Sequence, residues 1–401
     1  PTDQLGVSAA DGKTLVVELD RPVTYFLNLM TFPSFCPINE AYATEKGSQY
    51  ALGADNLLCC GPFYMSAWDV GGNTYQLKKN PGYYDADKVK LDVINFQIIT
   101  DPQQTMLAYE NGDLDYVRLS GEQISKYETM EGFTRIEEGY LWYLSCNLNP
   151  KSPEYSCGLE NENLRKAIAM SYDKDTICFE ILKDGSVPAN FAIPNRLATG
   201  PDGRDFRETA GTYLETDKEA ALACWEKAKT ELGVDEVTIE LLYDDSDSTP
   251  LIAQYLQSEI ENTLPGVHLT LKAQPKKSRT ELMQNREYQL GLTRWGPDYS
   301  DPMTYLDMWT TGSTYNYGEW SSEEYDKLIQ EANTTLANKP EARWENLKQA
   351  EKLVMDQAVI LPVYQKGTAA MVRPGVTGLS FFPVGVGTIY KDVDVNVNGN
   401  D

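Results

Sequence analysis

The sequence predicts an α/β fold, and three observations carry that expectation. From Thr216 onward, helical and strand patterns alternate, the arrangement of strands joined by crossover helices. Before Asn163 the chain is instead rich in short strand-like runs. Its 401 residues, 41% of them hydrophobic, are enough to bury a sizeable core and call for more than one lobe.

The runs 13–19, 74–78 and 94–99 hold β-branched or aromatic residues between Gly, Asn and Asp, and read as strands, with Gly71-Gly72-Asn73 as a hairpin turn. A helix starts near Asn163, where Leu164, Ile168 and Tyr172 recur every four residues and Ile177, Ile181 and Leu182 continue beyond Asp173. In the helix 217–232, Ala221, Trp225, Ala228 and Leu232 share a face and Gly233 stops it. The strand 236–243, the helix 250–264 with Ile252, Tyr255, Leu256 and Ile260 inward, and the strand 268–273 then make a βαβ unit. A helix near 280–287, a strand over 288–295, helices 322–336 and 340–357 and a strand 359–364 complete the series. Ser321 with Glu324 reads as a capping box for the first of these last two helices, and Pro340 as the first turn of the second.

Charge and composition remove several function classes. With 60 acidic against 35 basic residues, the net charge of −25 repels nucleic acid and anionic membrane. One histidine, His268, and no C-x-x-C pair leave no recognisable zinc or haem site; a metal held by oxygen ligands stays open, and no cofactor is expected. No serine elbow, cysteine–histidine pair or H-E-x-x-H motif supports a hydrolase, whose case rests on scattered carboxylates and aromatics alone. Cys36, Cys59, Cys60, Cys146, Cys157, Cys178 and Cys224 are expected to form no framework of bridges, since vicinal Cys59 and Cys60 pair only by distorting the peptide between them. No apolar run approaches a membrane span and no charged start leads into an apolar stretch; the chain opens on Pro1-Thr2-Asp3 and enters the strand 13–19 almost at once, so the sequence is expected to begin mid-protein.

The segment Arg294-Trp295-Gly296-Pro297-Asp298-Tyr299-Ser300-Asp301-Pro302 follows a strand in the α/β region, where ligands of open sheets bind. There an aromatic can stack on a ligand, a glycine can admit its backbone, and a carboxylate can neutralise an ammonium group. The competing reading is a turn in which Asp298 and Asp301 cap the following helix.

Further segments follow one another in order: Lys13-Thr14-Leu15-Val16-Val17-Glu18-Leu19 followed by the stretch from Pro22 to Phe26; Gly61-Pro62-Phe63-Tyr64; Asn80-Pro81-Gly82-Tyr83-Tyr84; and Gly112-Asp113-Leu114-Asp115. Leu164-Arg165-Lys166-Ala167-Ile168 with Tyr172-Asp173-Lys174 comes next, and then the Trp295 to Pro302 segment itself. Together, in this order, they resemble the family-5 extracellular solute-binding proteins, the oligopeptide- and dipeptide-binding proteins of ABC importers.

The resemblance implies a two-lobed periplasmic-binding-protein-like fold of type II, cluster C, with part of the first lobe and most of a small extra lobe absent. Residues 1–57 would be the remnant of that extra lobe and its return strand, 58–162 with 377–401 lobe I, and 163–376 an α/β lobe II. The implied protein is no enzyme: it captures peptides in an interlobe cleft and delivers them to the membrane permease of an ABC importer. It would act as a monomer in the periplasm or at the cell surface, lipid-anchored when full-length. In the site, Asp298 would pair with the peptide α-amino group, Trp295 line the side-chain region, Gly296 and Pro297 face the peptide main chain, and Tyr299 flank them. Arg286, better placed than Arg294, would receive the carboxylate. Trp142 and Tyr143, beside Tyr140, form an aromatic segment before the hinge, and Asn316 a turn near the ligand. Asp301 is expected to be a helix cap whose change to Asn alters binding little. The alternatives are a binder of the same fold for a nickel chelate, haem or oligosaccharide, and a carboxylate-based hydrolase; Asp298 followed by Tyr299 favours a peptide amine.

Overall fold

Ile239 and Leu241 point one way from the strand Val237–Asp244 and are fully buried, and the helix Thr249–Thr263 packs on that strand with Ile252, Leu256 and Ile260 equally buried. The chain returns as Val267–Gln274, parallel and in register from Val267 opposite Val237 to Gln274 opposite Asp244, which is the expected βαβ unit. The computed structural model describes residues 5–68, 70–121, 123–149, 153–246 and 248–396.

The chain folds as two units. The first comprises Pro1–Met30, Gly139–Ile177 and Pro188–Gln365, the second Thr31–Glu138, Cys178–Val187 and Lys366–Asp401. In the first, the strand Leu290–Trp295 lies parallel to Val237–Asp244 on one side and antiparallel to Phe133–Cys146 on the other, and the strand Ile360–Val372 follows next. The sheet is therefore mixed. The helix Lys218–Leu232 starts where the Asp217 side chain accepts the Ala220 amide and ends at Gly233, whose φ of 69° is the left-handed turn a glycine tolerates. Its Trp225 is buried, and the indole N–H finds a partner in the Pro265 carbonyl at 2.7 Å.

Two expected elements differ. The helix capped by Asn161 runs Glu162–Ser171 and stops, because the Asp173 carboxylate takes the Asp175 amide and the Thr176 hydroxyl and starts a new turn, Lys174–Thr176, that widens into a π-helix over Ile177–Leu182. The helix Glu323–Asn333 is capped by Ser322, which accepts the Tyr325 amide, and not by Ser321, whose hydroxyl lies 3.0 Å from that of Thr311. The final helix, Pro340–Asp356, does begin at its proline.

The second unit contains an antiparallel sheet of Phe63–Trp68, Thr74–Lys79 and Val93–Gln97, with Tyr75 stacked on Phe96 at 4.4 Å. A separate core gathers Met106, Val117, Leu119, Ile124 and Met371, where the strand Tyr116–Leu119 pairs antiparallel with the end of Ile360–Val372. The division between units falls inside two long strands, at Glu138 and Gly139 and at Gln365 and Lys366, where the sequence suggests 162 and 376. The cause is strand pairing: Leu141–Cys146 bonds to Leu290–Trp295, whereas Ala369–Val372 bonds to Tyr116–Leu119. Residues 5–30, expected in a remnant of an extra lobe, belong to the α/β unit. All seven cysteines are free thiols. Among the described residues no helix is long and apolar enough to cross a membrane.

Candidate functional site

The strand Leu290–Trp295 ends beside Leu141 and Trp142, and from there the chain turns through Gly296 and Pro297 to Asp298. Three donors fix this turn. The Trp295 indole donates to the Thr304 carbonyl at 3.0 Å, the Asp298 amide donates to the Thr304 hydroxyl at 3.0 Å, and the buried Tyr305 hydroxyl lies within reach of the Gly139 and Trp295 carbonyls. A Cβ at Gly296 would collide with the Tyr140 ring, which is why the turn carries a glycine there. The half-buried Pro297 has no N–H to satisfy.

Trp295, Asp298, Tyr299, Thr304, Asp307 and Tyr315 are among the residues that line an open depression of about 440 Å³. Trp295 meets Tyr315 edge-on at 4.7 Å, forming an aromatic wall. Asp298 is exposed to solvent and, among the described residues, its carboxylate has no hydrogen-bond or ion-pair partner; partial desolvation raises its pKa above the usual carboxylate value. Asp307 is pushed further, to about 6, first by desolvation and then by the negative charges of Asp298 and Asp301. Tyr299 is buried and stacks face to face on Tyr25 at 4.0 Å, and the Asn28 side chain donates to the Ser300 carbonyl, so the 25–28 stretch backs the turn. Burial, with the charge of Asp307 next, pushes the Tyr299 hydroxyl well above its ordinary pKa.

The other candidate residues fall in different places. Arg294 is half-buried, pairs with Asp244 at 2.8 Å and lies 5.1 Å over the Trp142 ring, which itself stacks on Tyr364 at 4.9 Å. Desolvation works against the Asp244 charge, but the Ser246 hydroxyl and the guanidinium groups of Arg294 and Arg279 outweigh it and hold the pKa below normal. Arg286, expected to receive a ligand carboxylate, is buried with φ at 63°; its guanidinium bonds Glu319 at 3.0 Å and the Met283 and Gln284 carbonyls, and so closes the end of its own helix. Tyr143 and Asn316 are each 3% exposed. Asn316 ties its loop together, donating to the carbonyls of Trp309, Thr310 and Trp320 and accepting the Trp320 amide. Both are packing groups in this structure, as aromatic bulk and a buried amide with all its bonds satisfied would suggest.

Asp301 requires a correction. Its carboxylate accepts the Met303 amide, as a cap would, but it is also buried and gripped by both terminal nitrogens of Arg343, at 2.8 and 2.9 Å. It anchors the turn from behind, and its loss has a structural cost that a surface cap lacks.

The sequence model for bacterial extracellular solute-binding proteins, family 5 (middle region), matches residues 1–317. This chain belongs to that family. A dipeptide-binding protein of Lactococcus lactis subsp. cremoris is 30% identical over 393 residues, spanning 96% of this chain and 71% of the relative. The substrate-binding domain of an oligopeptide ABC transporter from Bacillus anthracis superposes with a TM-score of 0.72 at 37% identity, covering 98% of this chain and 76% of that one. The OppA protein of Listeria monocytogenes, solved bound to peptide, gives 0.71 at 32% identity over 98% and 75% of the two chains. The family-5 protein has the type II periplasmic-binding-protein fold of these structures. Asp307, Tyr315, Tyr25 and Arg343 were not singled out from the sequence. Only Asp307 carried a signal there, since Thr304 and Asp307 stand three apart in a helical stretch and share a face.

Proposed function

We propose that this solute-binding protein captures peptides outside the cytoplasm and passes them, chemically unchanged, to the permease subunits of an ABC importer. It works as a monomer, tethered to the cell surface by lipid in its full-length form. The observation that carries the reading is the unpartnered Asp298 carboxylate, set beside the Trp295 and Tyr315 wall and partly shielded from water. A peptide α-ammonium placed there gains a charge-assisted hydrogen bond. The strand Leu290–Trp295 ends at this depression, where a peptide main chain can pair as in strand addition. Relatives named for dipeptide binding and solved with bound peptide support the same reading.

Isothermal titration with short peptides and their N-acetylated forms tests it. Asp298→Asn should cost about 1.5–3 kcal/mol for free N-termini, the range of hydrogen bonds to charged groups, which is roughly one to two decades in Kd. Acetylated peptides bring no charge and should lose little. Equal losses for both forms would refute the anchor role, and recovery of cleaved peptide would refute binding without turnover.

A further inference from the structure

We propose that Thr304 is a positioning residue of the ligand site: its hydroxyl sets the place of the Asp298 carboxylate and so decides how strongly the protein prefers a peptide with a free N-terminus. This rests on the reading of Asp298 as the anchor for that terminus.

Among the described residues the Asp298 carboxylate has no hydrogen-bond or ion-pair partner, so its place is set by the backbone that carries it. That backbone leaves the strand Leu290–Trp295 through Gly296 and Pro297. Pro297 has no N–H to donate, and the Asp298 amide that follows is tied to the Thr304 hydroxyl at 3.0 Å.

Thr304 is itself held firmly. It is 2% exposed, it lies in the short helix Met303–Leu306, and its amide donates to the Asp301 carbonyl at 3.1 Å. The Asp301 side chain is gripped by Arg343. A β-branched side chain in a helix has few rotamers, so the Thr304 oxygen stands at a defined point on a braced turn. The Thr304 carbonyl has a second task, accepting the Trp295 indole at 3.0 Å. One buried residue thus ties down both the acid and part of the aromatic wall of the same depression, through two different atoms. Substitution reaches only the hydroxyl, which lets the two tasks be separated.

Without that hydroxyl, the solvent-exposed Asp298 can give its amide to water, and the fold loses little. The carboxylate loses its fixed place, and an arriving ammonium group must then order it as part of binding.

Isothermal titration with trialanine and N-acetyl-trialanine tests the assignment. Thr304→Val keeps the shape and the β-branch but not the acceptor. It should weaken trialanine by about three- to tenfold, the worth of one hydrogen bond, and change the acetylated form by less than about twofold. Thr304→Ser keeps the acceptor and should hold the trialanine affinity near that of wild type. In an Asp298→Asn background Thr304→Val should add nothing, because it acts through a charge already removed. Thr304→Ala also lacks the acceptor and gives the same comparison if Thr304→Val does not fold. Equal losses for the two ligands, Thr304→Ser as weak as Thr304→Val, or a full further loss in the Asp298→Asn background would overturn the positioning role and leave Asp298 as the anchor. If Asp298→Asn itself left the preference for trialanine unchanged, the anchor and the positioning role would fall together.

Discussion

Replacing Asp301 by alanine removes one half of a buried pair. Arg343 is 5% exposed, and once the carboxylate is gone its guanidinium keeps, among the described residues, only the Ala332 carbonyl, at 3.2 Å from Nε. Both terminal nitrogens lose their partner, and the Met303 amide loses its acceptor. Breaking a buried pair from one side costs about 3–5 kcal/mol, because the remaining charge stays desolvated and unpaired. With a denaturant slope on the order of 3 kcal/mol/M for a chain larger than a small domain, the urea midpoint should fall by roughly 1–1.7 M. Far-ultraviolet circular dichroism and tryptophan fluorescence, followed together, would measure it and check that the transition is shared. The double replacement of Asp301 by leucine and Arg343 by methionine should recover most of the loss, since an apolar pair needs no partner. A midpoint shift below about 0.3 M for the single variant, or a double variant no better than it, would refute the assignment of a buried, interdependent pair.

Two pH effects follow from groups within the same unit. Asp307 is raised to about 6, with Asp298, Asp301, Arg21, Tyr299 and Tyr325 the charged and titratable groups acting with it, so its stabilising protonated form prevails at low pH and is lost as pH rises through 6. The thermal midpoint of wild type relative to Asp307→Asn should therefore fall between about pH 4 and 6, and a difference constant over that range would refute the raised pKa. Buried Lys174, bonded to the Asn190 side chain and the Leu214 carbonyl at 2.6 Å each, is lowered to about 7 by desolvation, against the opposing charge of Glu215. Its folded pKa lies below the unfolded value, so the unfolded chain binds more protons and stability should rise between pH 7 and 10. The thermal midpoint of wild type relative to Lys174→Met should climb over that window, and a constant difference would show the lysine to be protonated throughout.

Local chemistry was legible in the sequence wherever a residue acts on its near neighbours. Asp217 and Gly233 bound their helix, Pro340 opens another, and Val237 to Gln274 forms the βαβ unit because alternation and turn residues agree. The turn at Asp298 was visible for the same reason, as a Gly-Pro-Asp sequence after a strand. The partners that give its carboxylates different fates were not. Arg343 lies 42 residues from Asp301, Asp244 lies 50 from Arg294, and Asn28 reaches Ser300 across 272. No periodicity encodes such contacts. The strand Phe133–Cys146 escaped notice because its second half is buried on both faces, with Leu141, Tyr143, Leu144, Ser145 and Cys146 all buried, so the alternation that marks a half-buried strand is missing. Arg286 misled for a related reason: a lone arginine near a site looks free until the helix end it closes is known.

The chain passes between the two units at residues 30, 138, 177, 187 and 365. During synthesis on the ribosome, the first thirty residues must wait for the 188–365 stretch before their unit can be completed, and the second unit remains unfinished until the chain beyond 366 emerges. Such late-closing contacts slow folding and prolong the time a nascent chain stays loose. The same weaving means that one protease cut cannot release either unit as an intact fragment, so nicked molecules should migrate as full-size particles until denatured.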